Sequence, residues 1–433
     1  MKLTKKQILM ASFTLFSLFF GAGNLIFPPY LGQSAGNAMP LALLGFWLTA
    51  VVLPILGVIV VAKYDGLQNL AEKVSKHFGI LFSILIYVSI GPGLGIPRAA
   101  SLPFEMAVAP YIQTTHLQLL LFLFSLVFFL VAMTLALNPG KMVERFGKIL
   151  TPTLLILLMI LFGSFMIAGP KNIGEPIETY ASSPFVKGFL EGYMTMDTIA
   201  ALNFGLVISL TIHSFQVTEK QRVMHYTIVN GIFAGLLLTG VYVMLSVMGM
   251  YVSGVFELGS NGAVTLRALV YAVFGENGAF LLASIFTLAC LTTCVGLITS
   301  ISQFFSKLLP KVSYKQWVMV ITLFSFIICN QGLDALLSLS VPLLNAIYPM
   351  AIVLIVLGLI HKALTTSYMF PVTMTFTSIV SVVYALESWF QVPVLSNLFS
   401  HLPGYTLGLG WVLPALVGMI VGMIWDGLKK YGK

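Results

Sequence analysis

Charged side chains inside hydrophobic stretches are the first candidates for chemistry in this chain. Arg98, Glu105 and Asp197 lie in such stretches, where burying a charge is costly and therefore indicates a functional site. A guanidinium binds a carboxylate through two parallel hydrogen bonds, and a buried carboxylate holds a cationic group or carries a proton. Arg98 and Glu105 are two helical turns apart on one face, so mutual neutralisation is an alternative, as is pairing of Arg98 with Asp197. The partner of Arg98 stays open at this point.

A second candidate site is an interruption in the first hydrophobic segment. Residues 15–30 read LFSLFFGAGNLIFPPY, and glycines and an asparagine fall in the middle. Within a bilayer a helix is broken only where the released amides and carbonyls line a protein cavity or bind a ligand. The N-terminal end of the second half-helix is positively polarised, which favours a carboxylate. The break therefore predicts a substrate site at Gly21, Ala22, Gly23 and Asn24.

Hydroxyl groups in a later segment are candidates for binding a small cation. Ala289, Thr292 and Thr293 have the i, i+3, i+4 spacing of one helix face. Two hydroxyls beside a backbone carbonyl form a set of hard oxygens suited to an alkali cation, in particular opposite carbonyls that a broken helix has freed. The alternative is that both threonines bond back to carbonyls of their own helix.

Motifs of enzymes are absent from the sequence. The 6 histidines are scattered, and there is no HExxH pair, no Cys/His metal spacing, no nucleophile elbow and no Walker loop. The 3 cysteines lie in apolar segments and indicate packing. We therefore predict that the protein is not an enzyme and has no cofactor and no metal beyond a coupling cation. Without a Walker loop, ATP is not the direct energy source, so transport by this chain is predicted to use an ion gradient.

Composition places these candidate residues in a membrane. The chain is 58% hydrophobic and 8% charged, with a mean hydropathy of +1.00, values typical of a polytopic membrane protein. About 20 apolar residues are needed for each crossing, which gives about twelve spans. They cover residues 7–31, 39–62, 79–110, 117–137, 147–169, 190–215, 227–251, 279–306, 316–331, 336–360, 368–391 and 407–427.

The distribution of basic residues tests this count. Cytoplasmic loops collect Lys and Arg, and with both termini cytoplasmic all but four of the 22 basic residues fall on the cytoplasmic side. The four exceptions are Arg98, Lys171, Lys187 and Arg267. The net charge of +8 thus reflects membrane orientation, and because the basic residues are dispersed over loops, no nucleic acid partner is expected.

A weak internal repeat organises the spans. Span 1 breaks at GAGN, and span 6 has a corresponding interruption at residues 196–205, MDTIAALNFG. An offset of five spans inverts the second copy, which is typical of two inverted repeats with a binding site between their broken helices. The repeats are predicted at 7–169 and 190–360 of a single domain, 1–433, with two additional helices at 368–427. The alternative is that Gly and Pro are simply common in membrane helices.

Three stretches resemble a known family. They are GAGNLIFPPY in span 1, IGPGLGIPRAASLPFE at 90–105 and GYMTMDTIAALNFG at 192–205, and they resemble the bacterial branched-chain amino acid:cation symporters, the BrnQ-type carriers. The resemblance covers essentially the whole chain. It implies an all-α polytopic membrane protein of the LeuT-like fold, with a 5+5 inverted repeat plus two C-terminal helices.

The resemblance also implies a cation site at the first break. In the wider fold the helix ahead of the break supplies carbonyls to a sodium ion, here near Ser17 and Phe20, and the Ala289, Thr292 and Thr293 set completes the shell. The acidic Asp197 departs from the neurotransmitter-sodium branch, so the second sodium site of that branch is not carried over. Sodium is the expected coupling ion, and a proton carried by Asp197 is the alternative.

Together these observations predict a symporter of the bacterial cytoplasmic membrane that imports leucine, isoleucine or valine with a cation. Substrate would lie between spans 1, 3, 6 and 8, in contact with Arg98, Asp197 and Thr198, with Phe204 covering its apolar side chain. Membrane lipid is the other expected partner, and no obligatory protein partner is evident. The alternatives are a carrier of the same fold for another small neutral amino acid or metabolite and, less favoured, a passive channel.

Overall fold

The computed structural model of the 433-residue chain describes residues 2–109, 116–139, 145–177, 179–364, 368–390 and 399–431. Within these ranges the secondary structure is helical and contains no strand. Ten helical stretches in them are long and apolar enough to cross a membrane. The predicted all-helical membrane class is therefore confirmed, while the predicted span ends at residues 110 and 391 lie outside the described residues.

The ten stretches differ from the twelve predicted spans at two places. The second half of span 1 runs together with span 2 in one stretch, Ala22–Lys63, because a short 3-10 turn, Gly36–Ala38, joins them. The first half of span 1 is the separate helix Lys5–Phe19. The span predicted at 316–331 corresponds to Tyr314–Cys329, which at 16 residues is shorter than the roughly 20 residues of a full crossing. The count of twelve and the inverted five-helix repeats stay predictions.

The helices that build the fold are as follows in chain order. They are α1 (Lys5–Phe19), α2 (Ala22–Ala35), α3 (Met39–Trp47), α4 (Leu53–Lys63), α5 (Leu67–Ala71), α6 (Lys76–Val88), α7 (Gly95–Ala107), α8 (Leu117–Ala136), α9 (Thr151–Ala168), α10 (Thr179–Ser182), α11 (Pro184–Glu191), α12 (Asp197–Ser214), α13 (Lys220–Val252), α14 (Gly262–Phe274), α15 (Gly278–Leu308), α16 (Tyr314–Cys329), α17 (Leu333–Leu364), α18 (Met369–Phe390) and α19 (Val412–Tyr431).

The first membrane segment is interrupted between α1 and α2, where the sequence predicts a break. Phe20 (φ −74°, ψ 89°) and Gly21 (φ −122°, ψ −154°) leave the helical region. The Gly21 amide donates a hydrogen bond to Oδ1 of Asn24 at 3.0 Å, so a side chain from the next turn satisfies a backbone group that the break has freed. Gly21 is thus the residue that precedes α2, and Asn24 lies in the first turn of that helix.

The second interruption is narrower than the predicted one. The sequence predicts an interruption over 196–205, but only Met196 leaves the helical path, with a left-handed φ of 67° and ψ of 11°. A residue with a β-carbon is strained in this region. A 3-10 turn, Gly192–Thr195, joins α11 to this residue, and α12 then continues without a further break because good helix formers such as alanine and leucine follow.

A third interruption lies between α6 and α7. A π-helical turn, Ser89–Gly93, contains Gly91 in a non-helical conformation (φ −87°, ψ −121°). The adjacent Pro92 has no amide to donate and cannot continue the α-helical hydrogen-bond ladder. The turn redirects the chain into α7, the helix that carries Arg98.

Close helix contacts bring the interruptions together. A Cβ at Gly32 of α2 would lie 2.0 Å from the carbonyl oxygen of Ser246 in α13, and one at Gly249 would lie 2.0 Å from the carbonyl oxygen of Pro29. Only glycine permits this backbone approach, which fixes α2 against α13. In addition α7 packs on α15 and α12 packs on α4, so the three interruptions and the middle of α15 surround one point.

Candidate functional site

A small cavity lies at the point where the interruptions meet. Six of the predicted substrate residues are in its wall, namely Gly21, Ala22, Gly23, Asn24, Arg98 and Asp197. Its volume is about 20 Å³, which is room for roughly one water molecule. The polar groups of the site therefore lie in a closed cavity with little free space.

Two other predicted substrate residues lie outside this wall. The Thr198 hydroxyl donates to the carbonyl oxygen of Thr49 at 2.7 Å, which ties α12 to the π-helical turn Leu48–Val52. Phe204 packs edge-on against Phe19 with 5.6 Å between ring centroids, and it is Phe19 that lines the cavity. Phe204 thus backs the cavity wall, because it is two turns along α12 from the break.

Arg98 is directed to the end of a half-helix. Its side chain is buried, and Nη1 donates to the carbonyl oxygen of Met194 at 2.8 Å while Nη2 lies 3.4 Å from that of Thr195. These carbonyls end the 3-10 turn Gly192–Thr195, whose C-terminal end is negatively polarised. The guanidinium carbon lies 5.9 Å from the ring centroid of Phe27. Nε is buried and has no acceptor within the described ranges.

Neither alternative ion pair of Arg98 is formed. No ion pair among the described residues includes Arg98, Glu105 or Asp197. The charged groups that face Glu105 are instead Arg267 and Asp334. Seven helical residues displace Glu105 by roughly 10 Å along the axis of α7, so it reaches a different set of neighbours from Arg98.

Asp197 starts α12 and is held by side chains of two other helices. Its Oδ2 accepts hydrogen bonds from Nδ2 of Asn24 at 2.6 Å and from the Tyr242 hydroxyl at 2.9 Å. Nδ2 of Asn24 also donates to the Tyr242 oxygen. All three side chains are buried, and the position of Asp197 in the first turn of a helix favours its negative charge.

The predicted cation residues converge at the first break. The carbonyl oxygen of Ser17 accepts from the hydroxyls of Thr292 at 3.2 Å and Thr293 at 3.1 Å. Thr292 Oγ1 also lies 2.9 Å from the carbonyl oxygen of Ala289, so a bond within its own helix competes for its single proton with the bond across to α1. Phe20 lies at the break itself, beyond the last turn of α1.

Comparison with known proteins identifies the family. A family model described as "Branched-chain amino acid transport protein" matches residues 4–429. This chain belongs to that family. The resemblance to BrnQ-type carriers that the three sequence stretches indicate is confirmed.

Curated relatives match this chain over almost its whole length. The branched-chain amino acid permease BraB of Bacillus subtilis is 40% identical over 97% of this chain and 95% of the relative. The branched-chain amino acid transport system 2 carrier protein of Pseudomonas aeruginosa is 40% identical over 98% and 96%. The permease BrnQ of Corynebacterium glutamicum is 39% identical over 99% and 97%. These relatives are named as permeases or carriers, which confirms that the chain is not an enzyme.

Solved structures show the fold of the transporter. MhsT in complex with L-phenylalanine is 15% identical with a TM-score of 0.56, covering 97% of this chain and 98% of that one. The nucleobase-cation-symport-1 family transporter MHP1 in a closed conformation is 10% identical with a TM-score of 0.61, covering 98% and 93%. At these identities the likeness concerns the fold alone, which is the LeuT-like fold of secondary transporters.

The transporter has a second, larger cavity of about 620 Å³, which we call the vestibule. Phe27 and Met194, which both contact Arg98, line it. Tyr193, also in its wall, stacks on the buried Tyr348 with 4.2 Å between ring centroids. Arg98 therefore lies between the vestibule and the small cavity.

One wall of the vestibule is a loop that follows α18. Thr406, Leu407 and Gly408 of this loop line the vestibule. The neighbouring Tyr405 donates its hydroxyl to Glu387 of α18 at 2.6 Å. Burial and the nearby Glu387 carboxylate raise the pKa of the Tyr405 phenol well above its ordinary value, so the phenol stays protonated and keeps this bond.

Sequence reasoning missed Tyr242 and the vestibule. Tyr242 is 45 residues from Asp197, and a single tyrosine in an apolar segment has no spacing that indicates a partner. The vestibule is assembled from α2, α10, α11, the 3-10 turn Gly192–Thr195, α14, α17 and two loops, and no spacing within any one of them indicates it.

Proposed function

We propose that this transporter is a secondary active symporter that imports the branched-chain amino acids leucine, isoleucine and valine together with an alkali cation. The family and the names of the relatives support this substrate class. The small cavity between the broken helices is the proposed substrate site, and it follows the general position of such sites in transporters with broken helices.

One observation carries the assignment of the site to a zwitterion. Arg98 and Asp197 line the same cavity with opposite charges, and no ion pair joins them. Each charge is buried and hydrogen-bonded to uncharged groups, without direct contact with the other, so a ligand that brings a charge opposite to each of them gains affinity here. An amino acid places its carboxylate at Arg98 and its ammonium at Asp197. The first amides of α2 lie beside the carboxylate and supply further donors.

The remaining wall suits an aliphatic side chain. Ile90, Ala99, Ala200 and Leu297 line the cavity next to the charged pair. They offer apolar contacts, and the hydroxyls of Thr195 and Thr293 in the same wall already donate to the carbonyl oxygens of Gly192 and Ser17. A substrate side chain with an amide or a charge would therefore be left unsatisfied. This favours leucine, isoleucine and valine over polar amino acids.

The proposed coupling ion is sodium, bound at the oxygens of Ser17, Ala289, Thr292 and Thr293. When a cation binds, the threonine hydroxyls turn their protons away from the carbonyl oxygen of Ser17, so that the hydroxyl and carbonyl oxygens all present lone pairs to the cation, and hard oxygen ligands suit a hard cation. Phe20 would add its carbonyl from the break. A proton carried by Asp197 is the alternative coupling ion.

Transport then requires the small cavity to open alternately to the two sides. About 20 Å³ holds roughly one water, so leucine enters only after Arg98 and the neighbouring walls move apart. The vestibule is the proposed entrance from outside the cell. The distribution of Lys and Arg supports both termini in the cytoplasm of a bacterial cytoplasmic membrane, and a count of twelve spans with two inverted repeats agrees with this orientation.

Uptake of labelled leucine into proteoliposomes tests the proposal. Sodium and proton gradients are imposed separately and together, and vesicles without protein are the control. We expect accumulation above equilibrium with the sodium gradient alone. Accumulation with a proton gradient alone would reassign the ion, and absence of uptake under every gradient would contradict transport of leucine. Competition by unlabelled serine, phenylalanine and valine would test the alternative substrate classes.

A further inference from the structure

We propose that Tyr242 is a positioning residue for recognition of the substrate ammonium, because it fixes one carboxylate oxygen of Asp197 and directs the other towards the substrate. The inference rests on the proposed amino acid transport and adds a residue to its binding site. Tyr242 does not itself line the small cavity, so its effect is exerted through the wall residue Asp197, to which it donates a hydrogen bond.

Hydrogen-bond accounting at Asn24 supports this role. Its amide group has two N–H donors and one carbonyl oxygen. The oxygen accepts from the Gly21 amide at 3.0 Å, which fixes the orientation of the group. One N–H is directed to Oδ2 of Asp197 at 2.6 Å, and the other is directed to the Tyr242 oxygen. The single hydrogen of the Tyr242 hydroxyl then has one acceptor left, Oδ2 of Asp197 at 2.9 Å.

The consequence for Asp197 is an asymmetric carboxylate. Oδ2 accepts two hydrogen bonds from Asn24 and Tyr242. The neighbouring Thr195 hydroxyl donates to the carbonyl oxygen of Gly192 at 2.9 Å and also interacts with the Asp197 carboxyl group. Oδ1 accepts no hydrogen bond from Asn24 or Tyr242, so it is the carboxylate oxygen available to a ligand in the cavity that Asp197 lines. A charge-assisted hydrogen bond from an ammonium is the strongest partner it can take.

The scaffold around Tyr242 is rigid. Its ring is fully buried and packs edge-on against Phe46 with 5.3 Å between centroids. Its helix α13 is locked to α2 by the close approach at Gly32 and Gly249. A hydroxyl held in this way fixes the Asp197 rotamer before substrate arrives, which lowers the entropy lost on binding. Without it, Asn24 alone holds Oδ2, and the Asp197 carboxylate is less strictly oriented towards the substrate.

The test is leucine binding by detergent-solubilised Tyr242→Phe, measured by scintillation proximity. Phenylalanine keeps the ring contact with Phe46, so we expect an unchanged melting temperature. Loss of one hydrogen bond to a charged group is expected to weaken leucine binding about tenfold. Tyr226→Phe is the matched control, because Tyr226 lies on the same helix and its hydroxyl accepts the Leu3 amide at 3.0 Å, away from the cavity. Its leucine affinity should equal that of the wild type.

A second measurement separates recognition of the ammonium from a general effect on the site. 4-Methylpentanoate retains the carboxylate and the aliphatic chain of leucine but has no ammonium. The inhibition constant of 4-methylpentanoate against labelled leucine should be the same in wild type and Tyr242→Phe. If it does not compete in the wild type, it should not compete in the variant.

Unchanged leucine affinity in Tyr242→Phe would overturn the positioning role. A parallel loss of affinity for 4-methylpentanoate, or a lowered melting temperature with a changed sodium requirement, would do the same, because the effect would then not be confined to the ammonium. Wild-type protein that binds no leucine would overturn the proposed function together with this inference.

Discussion

The carbonyl oxygen of Ser17 in α1 and the hydroxyl of Thr293 in α15 are 3.1 Å apart. This contact closes the space beside the first helix break. A Cβ at Gly21 would lie 2.9 Å from the same hydroxyl, so the break and α15 are in direct contact. Binding of a cation at these oxygens would therefore be transmitted to Gly21, the first residue of the proposed substrate site.

Replacing the two threonines by valine tests the cation site. Thr292→Val with Thr293→Val removes both hydroxyls while it keeps the branched shape of the side chains. Each lost polar contact costs about 1 kcal/mol, so the sodium concentration for half-maximal leucine uptake should rise about tenfold or more. The measurement is uptake into proteoliposomes at a series of sodium concentrations.

The matched control for that pair is Thr322→Val in α16. Thr322 is also buried and bonds back to its own helix, to the carbonyl oxygen of Val318 at 2.7 Å. It should leave the sodium requirement unchanged. A double variant that keeps the wild-type sodium dependence would show that the cation binds elsewhere.

A side chain at Gly23 should block the substrate site. A Cβ there would lie 3.0 Å from Nη2 of Arg98 and 3.1 Å from Cα of Thr195. Gly23→Val is therefore expected to displace the guanidinium and to reduce leucine binding beyond detection. Scintillation proximity with labelled leucine measures the affinity, and gel filtration in detergent reports whether the protein has folded.

Gly163→Val in α9 is the comparison for this substitution. A Cβ at Gly163 meets nothing within 4 Å, so the same change of residue type in a membrane helix should preserve leucine binding. If Gly23→Val also binds leucine with wild-type affinity, the first break is a structural kink and the substrate lies elsewhere.

The elements that the sequence predicted best depend on local spacing. Ala289, Thr292 and Thr293 share one face of α15 because helical periodicity places them there, whereas the position of that face opposite Ser17 came from the family resemblance. The break at Gly21 is equally local, since the residues that leave the helical region, Phe20 and Gly21, lie within one turn of Asn24, whose side chain accepts the Gly21 amide. These features need only residues within two turns of each other.

Features that depend on tertiary contacts could not be predicted from the spacing of residues in the sequence. The two-turn interval between Arg98 and Glu105 allows an ion pair, but Arg98 turns to the carbonyl of Met194, a group that no side-chain pattern reveals. Phe204 lies on a helix that reaches the cavity, as predicted, but it does not line the cavity, because it packs against Phe19, which does. Tyr242 joins Asp197 across two helices.

The charge of Asp197 should be needed for leucine binding. Asp197→Asn keeps the shape of the side chain and removes the partner of the ammonium. Hydrogen bonds to charged groups contribute about 1.5–3 kcal/mol, so leucine affinity should fall about 10- to 100-fold while the sodium requirement set at Thr292 and Thr293 is unchanged.

Counterflow separates the two coupling ions in the same variant. If Asp197 carries a coupling proton, Asp197→Asn would still exchange labelled for unlabelled leucine but would no longer accumulate it. Exchange at wild-type affinity would therefore contradict the role in ammonium binding and favour proton coupling. Asp334→Asn is a suitable control, because Asp334 lies near Glu105 and outside the small cavity wall.

Arg98 and Glu105 should behave as independent residues. Arg98→Gln removes the proposed partner of the substrate carboxylate and should abolish leucine uptake. Glu105→Gln alone should leave uptake near the wild-type level, because Arg267 and Asp334 are the charges that face it. The double variant should therefore be as inactive as Arg98→Gln. Arg98→Lys should retain partial activity, since it keeps the charge but loses the planar fork that binds a carboxylate with two bonds.

Thermal stability measured beside uptake decides between the two roles of Arg98. If Arg98 neutralised Glu105, the single variant would leave a buried uncompensated carboxylate and lower the melting temperature, and the double variant would recover both stability and transport. Because the guanidinium donates to the carbonyl of Met194 at the end of a half-helix, we expect no such recovery. Normal stability without uptake in the double variant would support the substrate role, whereas restored uptake would contradict it.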